Sequence, residues 1–236
     1  MDGEATMTDE EKRGAKTREI QRRLVEAYGE PQNEPDRDAV AQLVNTILSQ
    51  NTNDTNRDTA FRRLRDRLHT WEEVRDADTE TVIEAIRPAG LGNQKGPRIQ
   101  QALRTISEEF GELSLDSLAD WSVDEATGWL SSIKGVGPKT AAIVLLFSFG
   151  KPAFPVDTHV HRVTRRLGLI GPRVSREKAH EVLGALVDPQ DYYSFHLNLI
   201  HHGRQICTSR NPHCWECFLP DLCDYYQAQQ AQSSEE

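Results

Sequence analysis

The stretch SSIKGVGPKTAAIVLLFSFGKPAFPVDTHVHRVTRR, residues 131–166, decides how the chain is read. It divides into a helix end, a Gly135-Val136-Gly137 hairpin, an apolar helix, a Pro-punctuated loop and a second helix that opens on Asp157. Two glycines flanking one residue allow a tight turn and a close backbone approach to a partner. Pro138 suits the first position of a helix, where its missing N–H would have no intrahelical acceptor. Lys139 follows in the first turn, ahead of the apolar Ala141, Ile143, Val144, Leu145, Leu146 and Phe147. Asp157 stands where an N-cap would stand, before Thr158, His159 and Val160. Roughly ten helical residues at 1.5 Å each carry the chain about 15 Å away. The segment Gly150–Val156 is long enough, at about 3.3 Å per residue, to bring it back. A lysine and an aspartate can therefore face one pocket.

Around this stretch, 236 residues give one large domain or two small ones, with ample chain for a core. No run approaches the 18 apolar residues of a membrane span, so no membrane association is expected. The N-terminus MDGEATMTDEEKRGAK is polar and acidic, without the apolar core of a secretory signal, so a cytoplasmic protein is expected. The net charge of −9 argues at first against a nucleic-acid partner. Its distribution argues the other way. From Ser131 to Lys178 nine Lys and Arg face two acids, a charge of +7, which leaves −16 on the remainder. A basic stripe on an acidic body can receive a polyanion; a merely solvated charged face is the plainer reading of the same residues.

Taken in order, residues 1–16 and 227–236 read as disordered tails. A helix is expected over Arg18–Tyr28. Asp36 or Asp38 then caps a helix whose apolar positions are Val40, Leu43, Val44, Ile47 and Leu48. It ends in the polar run Ser49-Gln50-Asn51-Thr52-Asn53-Asp54. The next helix carries Ala60, Phe61, Leu64 and Leu68. Thr70 with Glu73, and Ser122 with Glu125, form capping boxes. Further helices are expected near 79–87, 94–110, 116–120, 123–132, 175–187 (capped by Ser175) and 191–205. No period-2 run is convincing, so the chain reads as all-α. One internal echo stands out: Gly90-Leu91-Gly92-Asn93-Gln94-Lys95 resembles Gly135-Val136-Gly137-Pro138-Lys139 at a spacing of 45 residues. Two helix C-caps would explain the first of these hairpins equally well.

All four cysteines fall within seventeen residues, as Cys207-x6-Cys214-x2-Cys217-x5-Cys223. In a cytoplasmic chain, clustered cysteines indicate metal rather than disulfides. Four thiolates suit tetrahedral zinc or an iron–sulfur cluster. Structural zinc sites favour two short Cys knuckles, and this pattern has one. The long gaps on either side suit a [4Fe–4S] cubane wrapped by a loop.

Together, LSQNTND (48–54), GLGNQK (90–95), GVGPKTA (135–141), VDTHVHRV (156–163), HGRQIC (202–207) and the cysteine spacing resemble the endonuclease III family, the iron–sulfur helix-hairpin-helix DNA glycosylases. The resemblance covers about residues 18–226. It implies an all-α fold in two parts: a six-helix barrel over 38–150, and a cluster domain of 151–226 joined by the N-terminal helix within 17–37. Double-stranded DNA with a damaged base or abasic site would lie across the cleft between them, its damaged nucleotide flipped out. The protein would act as a monomer.

The resemblance assigns Lys139 as the amine that attacks C1′ of the flipped deoxyribose, forms a Schiff base and nicks the strand by β-elimination. A neutral amine is needed, which a helix N-terminus and basic neighbours favour. Asp157 would stabilise the developing cationic sugar or help move protons. The hairpin Gly135, Val136 and Gly137 would direct backbone N–H groups at a phosphate. Lys134, which replaces the family's usual proline, would add a phosphate contact. Asn51, or Gln50 beside it, matches the residue inserted into the gap left by the flipped base, and Leu91 matches the second wedge. Gly92 stands where an aromatic often follows. Arg210 remains basic, whereas Asn211 and His213 replace commonly basic residues. The implied substrates are oxidised pyrimidines. The departures at Gly92 and Asn51 leave mismatched thymine, uracil or a modified cytosine as the alternative, and a non-enzymatic iron–sulfur DNA-binding module is disfavoured by the presence of both Lys139 and Asp157.

Overall fold

The computed structural model describes residues 7–35 and 38–233. Among these residues all regular structure is helical. The α-helices are α1 (Asp9–Tyr28), α2 (Ala39–Ser49), α3 (Asp54–Arg67), α4 (Trp71–Asp76), α5 (Thr79–Ile86), α6 (Gly92–Phe110), α7 (Val123–Ser132), α8 (Pro138–Phe149), α9 (Thr158–Arg166), α10 (Arg176–Leu186), α11 (Tyr192–Gln205) and α12 (Asp224–Ser233). Short 3₁₀ turns cover Arg87–Ala89, Asp116–Ala119, Pro189–Asp191 and Pro220–Leu222. The helices form two compact units, one of residues 34–151 and one that joins the segment up to 33 with the chain from 152 onward. No helix among the described residues is long and apolar enough to cross a membrane.

The 34–151 unit is built around α8. Thr140 to Leu146 are all buried, so this helix has no polar face and serves as a central element. α2 and α7 pack against it. α2 presents Val40, Leu43, Val44, Ile47 and Leu48, each almost wholly buried, at the spacing of one helical face. Its N-cap is Asp38, whose Oδ1 accepts the Ala41 N–H at 2.8 Å; Asp36 lies outside the described residues. The capping boxes of Thr70 with Glu73 and Ser122 with Glu125 both form. α6 packs closely on α5: a Cβ at Gly96 would stand 2.9 Å from Ile83 Cγ1. Buried Gln100 donates to the carbonyls of Val74 and Ala77 at 3.1 and 2.7 Å, satisfying the last turn of α4.

In the other unit α9 and α11 pack together and α1 lies on α11. Thr17, Ile20, Gln21 and Leu24 are the buried stripe of α1. This helix begins at Asp9, nine residues before the start expected from sequence. The reason is local: the Thr8 side chain accepts the Glu11 N–H and Glu11 returns to the Thr8 N–H at 2.7 Å, a third capping box. At the other end α12 occupies residues where a disordered tail was expected, anchored by Gln227 Nε2 on the Asp221 carbonyl at 2.7 Å and by Tyr225 beneath the Arg166 guanidinium. The expected disorder of residues 1–6 and 234–236 lies outside the described residues.

Candidate functional site

In the 34–151 unit, α7 ends at Ile133 and the chain turns through Lys134, Gly135, Val136 and Gly137 into α8. Gly135 has φ +91°, a conformation that side chains disfavour. A Cβ there would also stand 2.8 Å from Arg98 Cδ, so any side chain would have to displace the flexible Arg98 side chain as well. Val136 is buried, and its N–H closes the turn on the Ile133 carbonyl at 2.9 Å. That N–H is therefore spent inside the turn, contrary to the expectation that 135–137 all direct N–H groups outward. Gly137 caps α8 without a side chain. Lys134 is exposed, and Lys139 is part-exposed in the first turn of α8. Arg98, which sequence reading passed over, lies along this turn. Only its packing against Gly135 reveals it.

Two further loops of this unit carry the expected wedges. Among the described residues, Asn51 (φ 53°) and Leu91 (φ 52°) are the non-glycine residues with positive φ. Asn51 is exposed, and Leu91 leaves 46% of its surface in solvent. Gln50, the C-cap of α2, instead donates from Nε2 to the Gly135 carbonyl at 3.2 Å. Both wedge candidates thus combine left-handed backbone with exposure, while Gln50 is bonded to the hairpin.

In the other unit, Asp157 is the N-cap of α9, its Oδ1 accepting the Val160 N–H at 2.7 Å. The preceding Ala153–Val156 run is buried. Ring nitrogens pin it: His180 Nδ1 meets the Phe154 carbonyl at 2.8 Å and His196 Nδ1 the Pro155 carbonyl at 3.0 Å. The carboxylate is thus held by the helix it caps and by the strapped loop before it.

The arginines of α9 correct the sequence reading. They contribute to the basic stripe, yet two of them turn inward to hold the cysteine segment. Arg162 donates to the carbonyls of Cys207 at 3.1 Å and Gly203 at 2.7 Å. Arg166 reaches Cys207 Sγ at 3.3 Å and the carbonyls of Thr208 and Ser209 at 2.6 and 3.0 Å. Lys151, in the 34–151 unit, is likewise engaged, with the Trp121 carbonyl at 2.6 Å. The footprint for a polyanion is narrower than the charge count suggests. Arg210 remains exposed on the cysteine loop.

Cys207, Cys214, Cys217 and Cys223 all line one cavity, with Val163, Leu167 and Ile206 supplying apolar wall. None forms a disulfide. No three His, Cys, Asp or Glu side chains among the described residues are arranged to hold a single metal ion. Sulfur atoms here receive donors: Arg166 on Cys207, and the Leu219 N–H on Cys217 at 3.4 Å. Burial pushes the Cys217 thiol up to about 11 and raises Cys214 and Cys223 as well. Such thiols ionise readily only when a cation takes the place of the proton. Four cysteines around one cavity, Cys223 buried and the other three part-buried, with N–H donors aimed at two of the sulfurs, are a donor set that fits an iron–sulfur group. α1 braces this loop through a bidentate Arg23–Asp221 pair at 2.7 and 2.8 Å. Tyr28 from the same helix bonds the buried His202 at 2.9 Å.

A helical hairpin of the α7–turn–α8 kind, with a four-cysteine loop and only helical regular structure among the described residues, defines a helix-hairpin-helix protein. A family model described as "HhH-GPD superfamily base excision DNA repair protein" matches residues 44–189. The chain is 36% identical over 209 residues to endonuclease III of Thermotoga maritima, covering 88% of this chain and 92% of that one. It is 36% identical over 192 residues to endonuclease III of Sulfolobus acidocaldarius, covering 80% and 83%. A solved structure of a trapped endonuclease III–DNA covalent intermediate is similar at a TM-score of 0.79 and 26% identity, over 95% of this chain and 100% of that one. The chain belongs to the endonuclease III family of the HhH-GPD superfamily. It is a DNA-binding base-excision-repair enzyme, a DNA glycosylase with AP lyase activity.

Proposed function

We propose that the enzyme removes oxidised pyrimidines from duplex DNA, with Lys139 as its nucleophile and Asp157 as the carboxylate that assists it. What supports the reading is the station of Lys139 in the first turn of α8, directly after the glycine hairpin, in a chain of this family. The neutral amine attacks C1′ as the glycosidic bond breaks, and the base leaves with the bonding electrons and a proton. Ring opening gives a Schiff base. Loss of a C2′ proton then expels the 3′ phosphate, and water releases the enzyme. The developing positive charge on the sugar is stabilised by the Asp157 carboxylate. Its cap bond to Val160 holds its orientation through these steps.

Lys134, the backbone of Gly135 and Gly137, and Arg98 beside them make up the phosphate contact. Val136 seats the turn, and Arg210 adds a cation from the cysteine loop. Asn51 and Leu91 fill the gap left by the flipped nucleotide, and Gln50 holds the hairpin from behind. Cys207, Cys214, Cys217 and Cys223 hold a [4Fe–4S] cluster. When bound, it supplies four iron–thiolate links that fix this loop around Arg210. The enzyme acts as a monomer in the cytoplasm.

A panel of duplexes tests the substrate class, each carrying an oxidised pyrimidine, a mismatched thymine, a uracil or a methylated cytosine. Base release and strand cleavage are scored separately. Release of the oxidised pyrimidine with matching strand cleavage is expected. Release confined to mismatched thymine, uracil or methylated cytosine would overturn the assignment.

A further inference from the structure

Lys95 is 1% exposed, one of the largest wholly buried side chains of the chain. Its ammonium donates to two backbone carbonyls, Leu48 at 2.8 Å and Ala89 at 2.9 Å. Burying an ammonium is costly unless its donors are met, and a packed apolar side chain of similar volume is often as stable or more so. Stability alone does not account for a lysine here. Its geometry does. Leu48 is the penultimate residue of α2, and Ala89 ends the 3₁₀ turn before Gly90. The other late carbonyls of α2 are taken locally: Thr46 by Ser49 Oγ at 2.7 Å, Ile47 by the Gln50 N–H at 3.3 Å and Ser49 by the Thr52 N–H at 3.4 Å. Leu48 alone among these four bonds outside its own loop. A cation is also the group that two helix C-termini favour. Immediately beyond the two carbonyls lie Gln50-Asn51 and Leu91, and Asn51 and Leu91 hold left-handed backbone. Such conformations persist only where the surroundings over-determine them.

We infer that Lys95 is a positioning residue for nucleotide extrusion: its ammonium ties the Gln50–Asn51 loop to the Leu91 loop, so that Asn51 and Leu91 enter the duplex as one unit. The inference rests on the wedge reading of Asn51 and Leu91 given above. Without the tie the two loops relax separately, and the cost falls on opening the duplex rather than on Schiff-base chemistry.

The test compares single-turnover cleavage of an abasic site in a duplex with cleavage of the same site in a single strand, where no base pair must be opened. Lys95→Met, close in length and uncharged, should lose tenfold or more on the duplex and stay within twofold on the single strand. Lys95→Gln, which keeps an N–H donor, should lose less. Leu91→Ala and Asn51→Ala are run beside them, and Lys95→Met combined with Leu91→Ala should fall little further than either alone. Equal loss on both substrates would mean a merely structural role and would overturn the inference. So would an unchanged duplex-to-single-strand ratio in the Lys95 variants while Leu91→Ala and Asn51→Ala lose theirs. If those two variants also keep the ratio, the wedge reading itself fails. Should Lys95→Met not fold by thermal melting, Lys95→Gln carries the comparison.

Discussion

Leu91 should show an inverted preference between glycine and alanine. At φ 52° and ψ 32° it sits in the left-handed region, which costs a side-chain-bearing residue about 1–2 kcal/mol. Alanine at this position keeps that cost and glycine removes it. Glycine's extra freedom in the unfolded chain takes back about 0.4–1 kcal/mol. Leu91→Gly should therefore be at least as stable as Leu91→Ala, ahead by roughly 0–1.6 kcal/mol. At Gln101, an exposed position inside α6, the order should reverse, with alanine ahead by about 1 kcal/mol. Urea denaturation followed by tryptophan fluorescence measures both pairs. Trp71, Trp121 and Trp129 all lie in the same unit as Leu91, so the signal reports mainly on it. Both Leu91 variants should also lose duplex cleavage, because the exposed side chain is gone in each. If Leu91→Ala is instead more stable than Leu91→Gly, as at Gln101, the loop carries no strain, and the argument that the fold holds this side chain outward against its backbone preference is refuted.

Other substitutions probe the remaining parts. Asp157→Asn should keep the α9 cap, since Asn caps as well as Asp, with stability within about 0.5 kcal/mol. Base release should nevertheless fall on the order of a hundredfold for want of the carboxylate's charge, as a melt and a single-turnover assay together would report. Gly135→Ala should destabilise by about 1–2 kcal/mol from its left-handed backbone, plus a contact with Arg98 that Arg98→Ala relieves. A urea cycle over the two single variants and the double separates the two components. Purified protein should carry about four iron per chain and absorb in the visible, and Cys217→Ala should lose both; stoichiometric zinc in their place would contradict the cluster assignment.

The hairpin, the Asp157 cap and two of the capping boxes were legible in the sequence because each is decided within a few residues. Glycine before Pro138, or Ser122 three residues ahead of Glu125, has few alternative meanings. The earlier start of α1 was equally local: Thr8 and Glu11 carry the same signal that marks α4 and α7. What sequence could not reveal was the fate of cations whose partners lie far along the chain. Lys95 reads only as the end of the internal echo until its bonds to the Leu48 and Ala89 carbonyls are found. Arg162 and Arg166 count toward a basic stripe until they are seen holding carbonyls around Cys207. A guanidinium or ammonium meeting backbone carbonyls leaves no pattern in residue spacing, since every residue offers the same acceptor. The different settings of Gln50 and Asn51 were hidden for a related reason. The positive φ of Asn51 and the bond from Gln50 to the Gly135 carbonyl are not specified by residue type.

Borohydride trapping tests the central claim most directly. Wild-type protein incubated with abasic-site duplex and borohydride should become covalently attached to DNA, with the adduct mapped by peptide mass spectrometry to Lys139. Lys139→Ala, folded and still able to bind the duplex, should form none. An adduct that persists in Lys139→Ala, or that maps to another residue of the wild-type chain, would contradict the assignment of the nucleophile.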